Sequence, residues 1–168
     1  MARRVAFCLV ENSRGEILLI QRGYGKEKGK WSLPGGFVDR GESSKHAAYR
    51  ETKEETGLIV EIVSTVMVGR TRPIKTFAGR VVGGKLRFQR RECLDVRFRD
   101  PAKIRSHELA FGADRRALHL WAEMKAKHNE LKQKSLPDKC PRCAESNIRL
   151  RHHPHQNHYR CASCKKTF

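Results

Sequence analysis

Three glutamates, Glu51, Glu54 and Glu55, stand close together in one stretch of the chain. If this stretch is helical, spacings of three and four residues place all three side chains on one face. Like charges at that spacing repel, so the arrangement calls for cations nearby, and hard divalent cations such as Mg²⁺ or Mn²⁺ prefer carboxylate oxygens. Taken alone, the cluster is also typical of an exposed helix whose own lysine and arginine side chains neutralise it.

Two glycines and a further charged pair flank this cluster. Gly35 and Gly36 precede it, and a backbone without side chains can approach a metal or phosphate closely and present its carbonyl oxygens. Glu42 and Arg50 are placed to join the loop to the helix through an ion pair. Because a phosphoanhydride carries negative charge on both sides of the scissile bond, metals held here would allow water to attack it. These residue types therefore favour metal-assisted hydrolysis of a diphosphate.

The segment at residues 36–58 reads GFVDRGESSKHAAYRETKEETGL and resembles the Nudix box, G-x5-E-x7-R-E-U-x-E-E-x-G-U, in which U is aliphatic. Every charged and glycine position matches, and Thr52 is the one departure, at the first aliphatic position. The flanking residues 17–22 and 31–34 also resemble the family, so the resemblance covers about residues 5–120. It implies an α/β fold in the form of an α/β/α sandwich around a mixed β-sheet. It also implies hydrolysis of a nucleoside diphosphate linked to another group.

The resemblance also implies a set of charged catalytic residues, Glu42, Arg50, Glu51, Glu54 and Glu55. Glu54 and Glu55 would be the principal ligands of catalytic Mg²⁺ or Mn²⁺. Glu51 would be a further ligand or a positioner. Gly36 would add its carbonyl oxygen. The remaining two residues would form a supporting salt bridge.

Residues that would contact the rest of the substrate lie outside the box. Arg22 and the lysines after it could attract a polyphosphate, and Trp31 and Tyr24 could stack on a base, although Trp31 could instead wedge the loop onto the sheet. A Glu-Leu-Ala-Phe segment ending at Phe111 is similar to a Leu-Ala-Phe segment of ADP-ribose hydrolases in the family, although Phe111 could also belong to the core. Glu108 could be a metal ligand or general base. An ADP-ribose-like substrate is therefore favoured.

The elements that must position these residues follow from periodicity and turn chemistry. Strands over residues 4–10 and 16–20 are predicted to form a hairpin, followed by a loop rich in glycine and lysine. The catalytic helix is predicted to begin at Ser43 or Ser44 and to end near Thr56, before Gly57. Later elements are strands over residues 59–68, 76–82, 86–89 and 92–98, and a long helix over 113–134.

Two Cys-x-x-Cys pairs near the C-terminus predict a zinc ribbon with four thiolate ligands, Cys140, Cys143, Cys161 and Cys164. Short strands over residues 148–152 and 158–160 would lie between the pairs. Four protein ligands leave no open position for water, so this Zn²⁺ would be structural. The predicted domains are a Nudix domain over residues 1–124, a helical stalk and linker over 125–137, and the ribbon over 138–168.

The charge of the chain points to anionic partners. Lys and Arg number 36 against 18 Asp and Glu, a formal net charge of +18, which predicts attraction to nucleotides or nucleic acid, although it could simply favour solubility. The basic ribbon could contact nucleic acid, or could only brace the fold or mediate a homodimer. No apolar run is long enough for a membrane span, and paired thiols are typical of a reducing compartment, so we expect a cytoplasmic protein without a membrane partner.

Three functions remain open at this point. The favoured one is an Mg²⁺-dependent pyrophosphohydrolase acting on a nucleotide-like small molecule, a nucleoside diphosphate linked to another group. A second is a pyrophosphatase that acts on the 5′ end of RNA or on a dinucleotide such as NADH and uses the basic ribbon. A third is a catalytically silent module that binds nucleotides or nucleic acid, which the intact glutamates argue against.

Overall fold

The computed structural model describes residues 3–69, 73–88, 91–134, 143, 148–153, 156–161 and 164–165, with the backbone alone for 132–134, 148–153 and 156–161. The chain divides into two compact units, Met1–Glu123 and Met124–Phe168, and each unit is described by itself. Within the described residues, every helix is too short or too polar to cross a membrane.

The strands of the first unit are β1 (Val5–Val10), β2 (Ile17–Arg22), β3 (Trp31–Ser32), β4 (Gly35–Phe37), β5 (Leu58–Val68), β6 (Ile74–Gly84) and β7 (Cys93–Arg99). Helix α1 (Ser44–Thr56) connects β4 to β5, and helix α2 (Gly112–Lys134) begins in this unit. The strands form two sheets, ordered β4-β1-β6-β5 and β3-β2-β7. The first is mixed, because β1 pairs in parallel with β6 but antiparallel with β4.

Strand β1 is covered on both of its faces. Alternate residues of a strand point to opposite sides, and Cys8 packs in one buried cluster with Ala47 and Ala48 of α1. Leu9 packs in a second cluster with Ala117 of α2. The predicted α/β fold, with a mixed sheet between helices, is therefore confirmed.

Thr52, the one departure from the aliphatic pattern of the box, is fully buried on α1. Its hydroxyl donates a hydrogen bond of 2.7 Å to the carbonyl oxygen of Ala48 in the preceding turn of the helix. The buried hydroxyl is therefore satisfied locally, and its methyl group is free to pack beneath the helix as an aliphatic side chain would.

Two expectations about the strands are wrong. β1 and β2 do not pair as a hairpin but lie in different sheets, joined by a turn and an isolated bridge between Glu11 and Ile17. Each strand pairs with other strands along both of its edges, β1 with β4 and β6, and β2 with β3 and β7. Of the strand predicted over residues 86–89, residues 86–88 lie outside any strand, and Gln89 lies outside the described residues. Instead β6 continues through Gly83 and Gly84, and a Cβ at Gly84 would lie 2.3 Å from the carbonyl oxygen of Gly57, so this glycine permits close pairing with β5.

In the second unit, β8 (Ile148–His153) pairs antiparallel with β9 (Gln156–Cys161), which confirms the two short strands predicted there. Cys140 lies outside the described residues, and Cys161 is described by its backbone only. The four-thiolate zinc site and the proposed domain boundaries therefore stay predictions.

Candidate active site

Helix α1 holds the three glutamates in fixed register. The side chain of Ser43 caps its start by accepting a hydrogen bond from the backbone N–H of His46 at 3.1 Å. Gly57, with a left-handed φ of 71°, ends it by donating to the carbonyl oxygen of Lys53. Between these ends, spacings of three and four residues bring the carboxylates to one side of the helix.

Arg50 lies at the centre of the carboxylate array, which consists of Glu42 and the three glutamates of α1, Glu51, Glu54 and Glu55. Its Nε and Nη2 atoms each donate to a carboxylate oxygen of Glu42 at 3.0 Å. Its Nη1 atom lies 2.9 Å from Glu51 Oε1 and 3.2 Å from Glu54 Oε2, and Nη2 also donates to the carbonyl oxygen of Phe37. One guanidinium therefore ties the loop before α1 to two of the glutamates on it.

Gly35 and Gly36 bring the backbone of β4 against the same carboxylates. The N–H of Gly35 donates to Glu55 Oε2 at 2.8 Å. A Cβ atom at Gly36 would lie 2.4 Å from Glu51 Oε1, a distance that only a shift of the glutamate could relieve. The glycines are thus needed for the close approach between strand and carboxylates.

The electrostatics of the array differ from one carboxyl group to the next. Hydrogen bonds from Arg50 lower the pKa of Glu42 to about 2. Burial raises the pKa of Glu51, and raises that of Glu55 well above its ordinary value, with the charges of Glu51 and Glu92 adding to the effect on Glu55. A cation bound beside these two groups would offset the cost of keeping them charged.

The donor set suits a hard divalent cation. Three carboxylates and the backbone of Gly36 supply the oxygen ligands that Mg²⁺ takes in proteins. In this conformation no three His, Cys, Asp or Glu side chains of the described residues are arranged around one ion position, and Glu51 and Glu54 contact Arg50 instead. The oxygen donors of these residues fit Mg²⁺ by their chemistry. The side chain of Glu54 is 52% exposed, so it has room to turn from Arg50 to an ion.

Gly35 and Gly36 also line a cavity of about 610 Å³, a size typical of small-ligand pockets. Its walls carry four aromatic rings, Phe7, Tyr24, Phe37 and Phe111. The remaining lining consists of Arg22, glycines and small or aliphatic residues. The carboxylate array and the cavity therefore share the same two glycines.

Arg22 lies at the end of β2 where the cavity meets the array. Its guanidinium carbon is 4.9 Å from the ring centre of Phe111 and 5.2 Å from that of Tyr24. Its Nε atom is buried and has no hydrogen-bond partner among the described residues. Burial raises the pKa of Glu55, and the charge of Arg22 acts in the opposite direction, so the two side chains are near one another.

Trp31 and Glu108 lie outside the lining of this cavity. The Trp31 ring is nearly buried and packs under the guanidinium groups of Arg97 and Arg99, at 5.3 and 5.1 Å. Glu108 accepts a hydrogen bond from Arg99 at 3.0 Å and another from the backbone N–H of Arg105 at 2.8 Å. The structure thus brings Arg22 and Phe111 to the cavity and gives Trp31 and Glu108 contacts elsewhere.

Two residues near the site escaped the sequence reasoning. Phe37 is an exposed ring inside the box and lines the cavity. Glu92, in the turn before β7, is close enough to Glu51 and Glu55 for its charge to raise the pKa of both, in addition to the larger effect of burial. The sequence shows only that an aromatic residue follows Gly36 in the box, and nothing in the sequence pairs Glu92 with α1.

Comparison with known proteins agrees with this geometry. A family model described as NUDIX domain matches residues 1–121. A putative 8-oxo-dGTP diphosphatase of Bacillus subtilis is 33% identical over 103 residues, which cover 59% of this chain and 67% of that protein. An RNA pyrophosphohydrolase of Novosphingobium aromaticivorans is 33% identical over 94 residues, which cover 54% and 58%. An ADP-ribose pyrophosphatase of Methanocaldococcus jannaschii is 51% identical over 53 residues, which cover 32% and 31%.

The fold has a counterpart among solved structures. The crystal structure of a NUDIX hydrolase from Nitrosomonas europaea matches with a TM-score of 0.63 and 25% sequence identity, over 76% of this chain and 73% of that one. The chain spans less than two thirds of the RNA pyrophosphohydrolase and of the ADP-ribose pyrophosphatase, at 58% and 31% of their lengths.

Proposed function

This chain belongs to the NUDIX family, and from that premise we propose that it hydrolyses a phosphoanhydride bond in a nucleoside diphosphate linked to another group. The observation that carries the proposal is the carboxylate array on α1, which lies against Gly36 at the edge of the cavity. A substrate that fills the cavity would have its diphosphate at the two glycines, beside the array.

Mg²⁺ would be held by Glu51, Glu54, Glu55 and the carbonyl oxygen of Gly36. Bound there, it would supply positive charge that offsets the phosphate oxygens and allows attack by water. Arg50 lies 2.9 and 3.2 Å from the first two of these glutamates, so its charge favours their ionised form beside the site. The N–H of Gly35 orients the third.

The substrate reaches the array through the cavity. The buried Nε of Arg22 is a donor without a partner in the described part of the chain, and its place beside Glu55 suits a phosphate oxygen. An ADP-ribose-like substrate is favoured because Phe111, at the end of the Leu-Ala-Phe segment, lines the cavity. A relative that is 51% identical over 53 residues is an ADP-ribose pyrophosphatase. Trp31 and Glu108 are left out of this proposal.

A hydrolysis screen tests the proposal. The full-length protein is incubated with Mg²⁺ and with ADP-ribose, NADH, diadenosine polyphosphates, 8-oxo-dGTP or RNA bearing a 5′ triphosphate, beside a Glu54→Gln control. We expect cleavage of ADP-ribose to AMP and ribose 5-phosphate, and little cleavage by the control. Absence of hydrolysis on every substrate, or equal activity of the control, would contradict the proposal.

Hydrolysis at the 5′ end of RNA is the second candidate. It is favoured by the RNA pyrophosphohydrolase relative and by the basic composition of residues 134–168, with eight Lys and Arg against two Asp and Glu. In this candidate the ribbon, folded around a structural Zn²⁺ at Cys140, Cys143, Cys161 and Cys164, holds the polymer. RNA affinity that falls steeply with salt and is lost on removal of residues 138–168 would support it, whereas undetectable RNA binding would exclude it and leave the homodimer and bracing roles.

A further inference from the structure

Two aromatic side chains at the cavity are unusually exposed. Tyr24 is 54% exposed and Phe37 is 47% exposed, and both line the cavity. Guanidinium groups lie over these rings, Arg22 over Tyr24 at 5.2 Å and Arg3 over Phe37 at 3.9 Å. Neither ring is needed in the buried clusters of the fold, so rings and cations are available to a ligand with a flat aromatic part and anionic groups.

The polar chemistry of the lining is sparse. Among its described residues, the hydrogen-bonding side chains are Arg22 and the hydroxyl of Tyr24, and carboxylate and amide side chains are missing. Proteins distinguish one base from another chiefly by hydrogen bonds to its edges, for which Arg, Asn, Gln, Asp and Glu are suited. Arg22 lies at the array end of the cavity, where the phosphates belong in the proposed function.

We propose that the cavity binds the nucleobase by stacking on Tyr24 and Phe37 and leaves its hydrogen-bonding edge unread, so that the enzyme accepts purine and pyrimidine substrates alike. This inference rests on the proposed function, because it concerns the same cavity. The nucleoside end of the substrate then lies in the cavity. The enzyme selects among substrates by the group beyond the diphosphate and not by the base.

Base tolerance is tested with the wild-type protein on ADP-ribose, GDP-ribose and CDP-ribose in Mg²⁺. Sites that hydrogen-bond a substrate group reject analogues without it by about 10⁴-fold or more, whereas apolar contacts discriminate by roughly 100-fold at most. We expect kcat/KM values for the three substrates to agree within about tenfold. A preference above about 100-fold for one base, or for 8-oxo-dGTP over dGTP, would overturn the inference.

Variants locate the stacking. Tyr24→Ala and Phe37→Ala should each raise KM about tenfold for all three substrates, within the range measured for bases on aromatic side chains. Tyr24→Phe should keep the wild-type KM, since the ring and not the hydroxyl is used. The matched control is Leu94→Ala, at a 47% exposed apolar residue outside the cavity lining, which should change nothing. Unchanged KM in both alanine variants would overturn the inference.

Binding without turnover separates this inference from the proposed function. Calorimetry of the wild-type protein with AMP, GMP and CMP should give dissociation constants within about tenfold of one another, and Tyr24→Ala should weaken all three. If the protein hydrolyses nothing but binds the monophosphates in this way, only the proposed function fails. If it hydrolyses ADP-ribose but Tyr24→Ala binds AMP as the wild type does, only the present inference fails.

Discussion

The carboxylate array and the aromatic cavity meet at Gly35 and Gly36 but are built in opposite ways. The array comes from one helix and the loop before it, and a single guanidinium, Arg50, joins three of its four carboxylates. The cavity takes residues from β1, β2, β4, β6 and the start of α2. The charged residues of the site are therefore set by one local stretch of the chain, whereas the cavity beside them depends on elements that are distant in sequence.

The largest effect is expected in the array. Glu55→Gln keeps an oxygen that can accept the hydrogen bond from the N–H of Gly35 but loses the charge that would bind Mg²⁺. Removal of a residue that hydrogen-bonds to a metal ligand lowers activity by up to about 100-fold. Removal of a ligand itself should therefore lower kcat by more than about 100-fold. Steady-state kinetics measure it, with Glu61→Gln, an exposed glutamate paired with Arg80, as the neutral control. If kcat of Glu55→Gln falls by less than about tenfold, the carboxylate array has no part in the reaction.

The next largest effect is expected at the centre of the array. Arg50→Ala leaves Glu42 and Glu51 without their shared cation, which should lower kcat by about 10–100-fold. It should also reduce the free energy of unfolding by about 1–3 kcal/mol, since both carboxylates are largely buried. Thermal unfolding and kinetics on one preparation measure the two effects. Stability loss with full activity would mean that Arg50 only supports the fold.

A smaller effect is expected at the boundary between the regions. Gly36→Ala places a Cβ 2.4 Å from Glu51 Oε1, so the carboxylate must move while the fold can persist. We expect kcat/KM to fall about tenfold, within the range for displaced metal partners. Gly83→Ala is the matched control, because a Cβ there would meet its nearest neighbour, Ile59, at 3.9 Å. Equal activity of both variants would show that the position of Glu51 is unimportant.

The last prediction concerns stability rather than activity, at Asp114 near the start of α2. Burial raises its pKa to about 7, so between about pH 4 and 7 the folded protein keeps a proton that the unfolded chain releases. This contribution is fully present below about pH 4 and is lost as pH rises to 7, at most about 4 kcal/mol. Asp114→Asn should flatten this part of the pH dependence of the unfolding free energy. An identical pH profile for both proteins would refute the shift.

The same contrast explains what could be predicted from the sequence. The limits of α1 follow from its capping residues, and Ser43 and Gly57 act as expected. The partners of Trp31 and Glu108 could not be predicted, because they depend on where β7 places Arg97 and Arg99.

The strands show the same dependence on distant elements. β1 and β2 separate into two sheets, since each is paired on both edges by other strands, which a local turn signal between them cannot reveal. Phe37 is within the box, yet only the packing of β4 on β1 shows that its ring lines the cavity.

Mn²⁺ binding, followed by electron paramagnetic resonance together with ADP-ribose hydrolysis, tests the central claim most directly. We expect the wild type and Glu61→Gln to bind Mn²⁺ equally, and Glu54→Gln to bind it at least about tenfold more weakly and to lose hydrolysis in parallel. Equal Mn²⁺ affinity in Glu54→Gln and the wild type, or hydrolysis that persists in excess EDTA, would contradict the account.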